Sequence, residues 1–247
     1  MSESESTDHA LDAEFLLGLR ANPPLAARLA MERRTELFER KTLLRPTPSI
    51  AVPTGPAILR RDQVLPCAAW PAADAWQPGD RVMLPVAPED EREAERYVEW
   101  LIELAAHETL APREPSPLLG PSSLAPFSPD PAGTHRLWLI AAARLALPAS
   151  VRVEARHDLI GIRLAQVALG FGADTLSGPV DADRHLPVAG VTRPNEASVT
   201  GLRNLIEQAG LVCALQEDAI PRALETGSHT VPIQLFIVPG KPGSEES

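Results

Sequence analysis

The spacing of apolar residues predicts two amphipathic helices with clear starts and ends. In "EDEREAERYVEWLIELAAHE", acidic residues fill the first turn, and Val98, Leu101, Ile102 and Ala105 recur at helical spacing. Residues 198–209 repeat this pattern, with a serine at the start as a cap and a glycine directly after the last turn. Each helix therefore has one apolar stripe that faces a core.

The second half of the chain alternates helices with short extended runs. "HRLWLIAAARLAL" is an almost wholly apolar helix, "SVRVEAR" a strand, "DLIGIRLAQVALGF" a helix and "ADTLSGPV" a strand, and "LVCALQE" and "TVPIQLFIVP" supply further strands. Such alternation predicts parallel strands joined by helical crossovers. The expected fold class is therefore α/β.

The first half is less regular because prolines interrupt it. Helices are predicted over residues 11–19 and 25–41, on either side of the Pro23-Pro24 pair. "SIAVPTG", "QVLPCAAW" and "DRVMLPVAP" have the aliphatic content of short strands, although each contains a proline. Residues 109–133 are predicted to form a proline-rich rim loop, in which "LAPF" is one more short strand.

Length and charge limit the classes of function. The 247 residues suffice for one sizeable core, so residues 10–240 are predicted as one domain between disordered ends at 1–9 and 241–247. The formal net charge is −10 and no basic stripe is present, which argues against nucleic acid as a partner. No apolar run is long enough for a membrane span and the acidic start is unlike a secretion signal, so a cytoplasmic location is expected.

Reactive side chains are few. Cys67 and Cys213 lie far apart and match neither a disulfide framework nor a metal motif. The six histidines show no i, i+4 pair, and no serine lies in a G-x-S-x-G elbow. The residues alone therefore indicate no catalytic group, metal or cofactor, and they favour a protein without catalysis.

Four pieces of the chain between residues 81 and 217 carry a family resemblance. They are "RVMLPVAPEDEREAERYVEWLIELAAHET", "LAPFSPD", "RLAQVALGFGADTLSGPV" and "AGVTRPNEASVTGLRNLIEQAGLV", of which the third is the most specific. In this order they resemble the C-terminal part of the radical SAM enzymes of the futalosine route to menaquinone, aminofutalosine synthase and dehypoxanthine futalosine cyclase. The resemblance implies a partial or shortened (βα) barrel, TIM-like, that retains the late strands and helices. In such a barrel the loops after "RVMLPV", "LAPF" and "VRVEA" face one cavity.

The chain departs from that family at the reactive centre. The family holds a [4Fe–4S] cluster with a C-x3-C-x2-C loop after the first strand, whereas the corresponding region here, "SIAVPTGPAILRRDQVLPCAAW", contains Cys67 alone. The chain is also shorter, so early strands and helices of the barrel are expected to be missing. The sequence is thus interpreted as a relative without the cluster and without autonomous radical chemistry.

The segment "GADTLSGP" is the candidate ligand-binding rim. Gly172, Asp174, Ser177 and Gly178 are predicted to face a nucleoside-like molecule, with the Asp174 carboxylate accepting hydrogen bonds and repelling anions. The competing interpretation is structural, because such glycines more often serve the backbone and a lone aspartate more often closes a turn. The family has paired acids followed by Gly-Thr here, whereas this chain has one acid and then Pro179.

Three functions stay open at this point. The resemblance implies a non-catalytic or accessory protein that binds a nucleoside-like molecule or pairs with a menaquinone-pathway enzyme. A cluster-independent enzyme that reuses the rim is one alternative. A structural homo-oligomer is the other, because an incomplete barrel leaves strand edges that self-association would cover.

Overall fold

The structure is a computed structural model that describes residues 12–61, 63–87, 90–130, 132–181, 186–188, 191–193 and 196–216. The ends expected to be disordered, 1–9 and 241–247, and the strand expected in "TVPIQLFIVP" lie outside the described residues.

Helices and strands follow one another along the described chain. The helices are α1 (Ala13–Gly18), α2 (Pro23–Phe38), α3 (Glu91–Leu110), α4 (Gly133–Ala146), α5 (His157–Ile160), α6 (Ile162–Leu169) and α7 (Val199–Gln208). The strands are β1 (Lys41–Thr47), β2 (Ala57–Arg60), β3 (Gln63–Pro66), β4 (Arg81–Pro85), β5 (Ser122–Phe127), β6 (Val151–Arg156), β7 (Thr175–Pro179), β8 (Leu186–Val188), β9 (Val191–Arg193) and β10 (Val212–Leu215).

Capping side chains explain where the longer helices begin. The Asn22 side chain accepts a hydrogen bond from the Leu25 amide at 3.2 Å, and α2 starts directly at the two prolines, which are tolerated in a first turn because its amides have no partner within the helix. Asp90 caps α3 and Ser198 caps α7 in the same way. The predicted cap at Ser198 is therefore confirmed.

Eight strands form one sheet in the order β10-β1-β7-β6-β5-β4-β2-β3. From β10 to β4 neighbouring strands pair in parallel, whereas β2 and β3 add an antiparallel hairpin at one end. Strands β8 and β9 pair separately as a hairpin. The α/β class is confirmed, and the ends of "RVMLPV", "LAPF" and "VRVEA" lie at the same edge because β4, β5 and β6 are parallel neighbours.

The sheet is curled into a partial barrel. Strands β7 and β6 lie between β1 and β5, so a flat sheet with neighbours about 4.8 Å apart would separate β1 from β5 by about 14 Å. Yet Arg45 on β1 donates to the Ser123 hydroxyl on β5 at 3.2 Å. The two strands therefore face each other across a concave side, and Arg45 and Ser123 lie inside the curve.

Apolar helices cover the opposite, convex face. Helix α4 contacts β5, β6 and α2, while α6 packs on β6 and β7 and α7 on β1 and β10. Along α4 every residue from Trp138 to Leu145 is buried, which explains why its sequence is almost wholly apolar. Full burial of each leucine or isoleucine contributes about 1.5–3 kcal/mol, so this layer supplies much of the core's stability. Among the described helices, none is long and apolar enough to cross a membrane.

Two predicted elements differ from the structure, and a third differs only where it begins. "SIAVPTG" lies in an irregular segment, whereas the unpredicted strand β1 precedes it at the end of the expected helix 25–41. The strand predicted at "LAPF" within residues 109–133 is confirmed as β5, which begins two residues earlier than predicted, and α4 begins at Gly133. Gly161, with φ of +86°, divides the helix expected in "DLIGIRLAQVALGF" into α5 and α6.

Candidate functional site

The concave face of the partial barrel carries buried charged residues. We call Arg45, Arg81, Ser123 and Glu154 the interior cluster; all four are buried. The Ser123 hydroxyl donates to Glu154 Oε2 at 2.6 Å, and Arg81 Nε donates to the same oxygen at 3.2 Å. Arg81 Nη2 binds the other carboxylate oxygen, so the arginine contacts Glu154 through two nitrogens.

Arg45 links the interior cluster to residues that flank two other strands, one just before β5 and one just after β10. Its Nη1 lies 4.0 Å from Glu154 Oε2, its Nε donates to Gln216 Oε1 at 2.7 Å, and its Nη2 donates to the Pro121 carbonyl at 2.8 Å. Burial, together with the charge of Arg81, lowers the pKa of Arg45 to about 10, which still leaves it protonated at neutral pH. Burial alone would raise the pKa of Glu154, but Arg81, Arg45 and Arg156 outweigh it and hold that pKa well below its usual value.

At the carboxyl ends of the strands lies a second polar set. We call Thr47, Arg156, His157, Asp158 and Ser177 the carboxyl-edge group. Arg156 Nε donates to Asp158 Oδ1 at 3.1 Å, and its Nη2 donates to Asp158 Oδ2 at 2.6 Å and to Thr47 Oγ1 at 3.3 Å. In the part of the chain that the structure describes, Arg156 Nη1 and Ser177 Oγ are buried and have no hydrogen-bond partner.

The two residues that carry these partnerless groups lie opposite each other on neighbouring strands. Ser177 on β7 pairs with Arg156 on β6 and with Arg45 on β1, and paired positions on parallel strands present their side chains to the same face. Ser128, just after β5, adds another buried hydroxyl without a partner among the described residues. Buried polar groups in proteins nearly always have a hydrogen-bond partner, so these partnerless groups make the carboxyl edge the candidate site.

Gly178 permits the close packing of this edge. It has φ of +142°, and the His157 imidazole lies where a Cβ at position 178 would be. Burial lowers the pKa of His157, so the imidazole is neutral at pH 7. Ser177 and Gly178 are thus at the carboxyl edge, as predicted for the rim, and their ligand-binding role stays a prediction.

Gly172 and Asp174 lie at the other end of β7, which corrects the prediction of one continuous rim. Four residues of extended chain separate Asp174 from Gly178 by about 13 Å. Asp174 belongs to what we call the amino-edge cluster, with Arg34, Arg144 and Arg152. Its Oδ2 accepts from Arg144 Nη1 at 2.7 Å and from the Val153 amide at 2.9 Å.

Hydroxyl and backbone contacts complete the amino-edge cluster. Asp174 Oδ1 accepts from the Thr175 hydroxyl at 3.1 Å and lies 3.5 Å from Arg152 Nη1, so both carboxylate oxygens are engaged. Arg34 Nε donates to the Ala173 carbonyl at 3.0 Å. A Cβ on Gly172, which has φ of +92°, would lie 2.9 Å from Arg144 Cβ. The amino end of β7 is therefore a packed junction between the sheet and its helices.

The cysteines do not fit the cluster of the family that the sequence resembles. A [4Fe–4S] cluster of that kind needs three thiolates from one loop. Cys67 directly follows β3 and Cys213 lies on β10, which are the two ends of the strand order, and residues 48–56 after β1 contain no cysteine. Within the described residues, no three histidine, cysteine or acidic side chains lie close enough together to hold a metal ion.

Two comparisons with known proteins place the chain in no family. No protein-family model matches it. None of the functionally curated proteins matches it at a significant level.

Sequence reasoning missed Arg45 and Arg156, although a signal for the second was present. In "VRVEAR" the charged residues Arg152, Glu154 and Arg156 alternate with apolar ones, which is the period of one strand face. The structure places that face on the concave side, so the charges mark the barrel interior. Arg45 had no comparable signal because β1 was not recognised as a strand.

Proposed function

We propose that this protein is a non-catalytic, small-molecule-binding relative of the futalosine-pathway radical SAM enzymes. Its ligand is a nucleoside-like molecule bound at the carboxyl edge of the partial barrel. The observation that supports this is the pair of buried, partnerless groups on neighbouring strands, Arg156 Nη1 and Ser177 Oγ. Barrel enzymes bind their ligands at this edge because the loops that follow the strands converge there.

The proposed ligand supplies the hydrogen-bond partners that Arg156 Nη1 and Ser177 Oγ lack among the described residues. A buried donor without a partner costs about 1–3 kcal/mol, and more for a charged group. The hydroxyl and carbonyl groups of a nucleoside supply acceptors for Arg156 and both kinds of partner for Ser177. The absence of a three-cysteine loop supports binding without radical chemistry.

Calorimetric titration with futalosine and with inosine tests binding. We expect heat of binding for the wild type, and a loss of about 5- to 150-fold in affinity for Ser177→Ala, which corresponds to about 1–3 kcal/mol. Ser150→Ala is the matched control, because Ser150 lies before the amino end of β6 and donates to Glu108 instead. Absence of heat with both compounds at millimolar concentration would reject the proposal.

Iron and sulfide reconstitution tests the non-catalytic part. Anaerobically reconstituted protein is expected to show no stoichiometric four-iron signal, because Cys67 and Cys213 cannot supply three thiolates from one loop. Changing both cysteines to serine is the comparison, and the two samples should give the same spectrum. A stable cluster in the wild type alone would restore radical SAM chemistry as the function.

A protein partner belongs to the same proposal. Among the described residues, β3 and β10 are the end strands of the main sheet, and unpaired strand edges favour covering by another chain. The partner is a menaquinone-pathway enzyme or a second copy of this chain. Sedimentation of the purified protein separates the two, because only self-association gives a mass above 26.5 kDa without an added partner.

A further inference from the structure

We infer that the amino-edge cluster binds a divalent oxyanion, a phosphate or sulfate group, in a cavity beside Arg152. This second site lies at the opposite ends of the strands from the carboxyl-edge group, because Arg152 is the second residue of β6 and Arg156 is its last. Four residues of extended chain separate the two arginines by about 13 Å. A ligand at the amino edge is therefore independent of the proposed function.

A small cavity lies where α2 ends and where β1 and β6 begin. It has a volume of about 240 Å³ and is lined by Leu37, Phe38, Glu39, Lys41 and Arg152. Pockets for drug-sized ligands measure about 300–1,000 Å³, so this cavity suits a small anion or the charged end of a larger molecule.

Arg152 has donors beside this cavity that no other group uses. Among the described residues its side chain has one hydrogen bond, from Nη1 to Asp174 Oδ1 at 3.5 Å, so Nε and Nη2 have no partner there. The guanidinium carbon lies 3.9 Å from the centre of the Phe38 ring, a cation–π contact that restricts the plane of the guanidinium. The side chain is 24% exposed, so an anion from solvent can reach it.

The arginines of the amino-edge cluster outnumber its acid. Arg34, Arg144 and Arg152 share the single carboxylate of Asp174, and the first of them donates only to carbonyl oxygens and to the Thr42 hydroxyl. Arginine stays protonated in proteins, so three cations and one anion leave two positive charges. One divalent oxyanion neutralises both.

Neighbouring charged groups do not remove this surplus. On α2, Arg33 pairs with Glu36 at 3.2 Å, and Lys41 Nζ at the start of β1 lies 3.5 Å from the Glu39 carboxylate. Each pair is neutral as a whole. The interior cluster contains two arginines and one glutamate, so it adds a positive charge rather than a negative one.

Arg144 shows that the cluster is also short of acceptors. Its Nη1 donates to Asp174 and its Nη2 to two backbone carbonyls, yet its Nε is buried without a partner among the described residues. Burial lowers the pKa of Arg34, and the charges of Arg152 and Arg144 lower it further, while Asp174 opposes them. An anion beside Arg152 would reduce this repulsion between the arginines.

Calorimetric titration with sodium phosphate at pH 7 tests the site, with sodium chloride of equal ionic strength as the reference. We expect phosphate and sulfate to bind the wild type, and acetate, which has one charge, to bind at least about tenfold more weakly. Arg152→Gln should weaken phosphate binding at least about tenfold, because it removes charged hydrogen bonds. Arg28→Gln is the matched control: it removes the same charge from an exposed position on α2 outside the cavity and should leave binding unchanged.

Lys41→Gln tests the site without disturbing the core, because the Lys41 side chain is 68% exposed. It should weaken phosphate binding about two- to fivefold. Methyl phosphate, titrated in parallel, distinguishes two sources of the anion: tighter binding than phosphate indicates a phosphorylated molecule, and weaker binding indicates the free ion.

Three results would overturn the oxyanion site. They are heat no larger than that of the chloride reference, equal losses of affinity in Arg152→Gln and Arg28→Gln, and acetate binding as tight as that of phosphate. None of these results bears on nucleoside binding at the carboxyl edge, which the titration with futalosine and inosine tests separately.

Discussion

The two ends of strand β7 differ in how their buried polar groups are satisfied. At the amino end both oxygens of Asp174 are engaged by Arg144, Arg152, Thr175 and a backbone amide. At the carboxyl end Ser177 is just as buried, but its hydroxyl has no partner among the described residues. The Asp174 carboxylate is therefore fully engaged and the Ser177 hydroxyl is not, although Arg144 Nε in the amino-edge cluster is also buried without a partner among the described residues.

The difference separates a buried polar group that has all its partners from one that has none among the described residues. Barrel enzymes carry residues that matter for stability at the amino face and ligand-binding loops at the carboxyl face, and a ligand at the carboxyl end of β7 stays a proposal for this chain. Burial alone does not distinguish the two ends, since both are closed to water. Whether a buried group has its partners is the informative property.

Removing the Asp174 carboxylate gives the largest expected effect. Asp174→Ala leaves Arg144 buried without its counter-ion and should lower the free energy of unfolding by about 3–5 kcal/mol. Urea unfolding at pH 7 measures this. Asp74→Ala is the control, because Asp74 is exposed and its loss should change stability by less than about 0.5 kcal/mol. If Asp174→Ala kept full stability and lost ligand affinity instead, Asp174 would belong to the binding site.

Glu154→Gln gives the next largest effect, and this effect depends on pH. The amide keeps the shape but weakens the contacts with Arg81 and Arg45, at a cost of about 1.5–3 kcal/mol at pH 7. The folded pKa of Glu154 lies below its unfolded value of 4.5, so the carboxylate's stabilisation is complete above pH 4.5 and is lost as the pH falls through the folded pKa.

Unfolding curves of the two proteins between pH 7 and 3 check this. The difference in the free energy of unfolding between the wild type and Glu154→Gln should become smaller as the pH falls. Glu99→Gln is the control: Glu99 is exposed, so this variant should have the same free energy of unfolding as the wild type at every pH. A difference that widened toward pH 3 would contradict the charged state assigned to Glu154.

Removing either of two hydroxyl groups on β7 tests the difference between the two ends of this strand. Thr175→Val removes a hydroxyl that donates to Asp174, and it should cost about 0.5–1.5 kcal/mol. Ser177→Ala removes a hydroxyl without a partner, so stability should stay within about 0.5 kcal/mol or rise. Thermal unfolding of both variants in one buffer measures the contrast. Equal losses would mean that Ser177 has a stabilising partner.

His157 gives the smallest expected effect. Burial lowers its folded pKa, so the unfolded chain takes up the proton first, and stability falls as the pH drops below the ordinary histidine value of 6.5. His157→Gln should make the decline between pH 7 and 5.5 shallower. The slope should not vanish, because burial also lowers the pKa of His135. An unchanged slope would indicate that His157 is accessible to water.

The sequence was sufficient for the parts of the fold that local physics determines. The acidic first turn of α3 and the Ser198 cap of α7 act on backbone groups only a few residues away. Their patterns are therefore visible in the sequence. Strand β1 was missed because its charged Arg45 and its Pro46 are unusual for a buried central strand. Its conformation depends on pairing with β7 and β10, which are distant in sequence.

The candidate site was only half predictable for a similar reason. Ser177 and Gly178 were named from the glycine pattern, but the same pattern joined them to Gly172 and Asp174. Spacing along a chain does not show which end of a strand a residue occupies. That information needed the strand bounds, and the partners of Asp174 lie on α4 and β6.

Strand β1 also sets the order in which the protein assembles during synthesis. Leu43 pairs with Thr175, and Lys41 with Val212, so one of the first strands made has both of its neighbours near the far end of the described chain. Strands β4, β5, β6 and β7 pair in chain order and are available to assemble first. The growing chain therefore carries β1 without a partner until β7 leaves the ribosome. Pairing over such sequence separation is slow, so β1 stays open to aggregation while it waits for its partners.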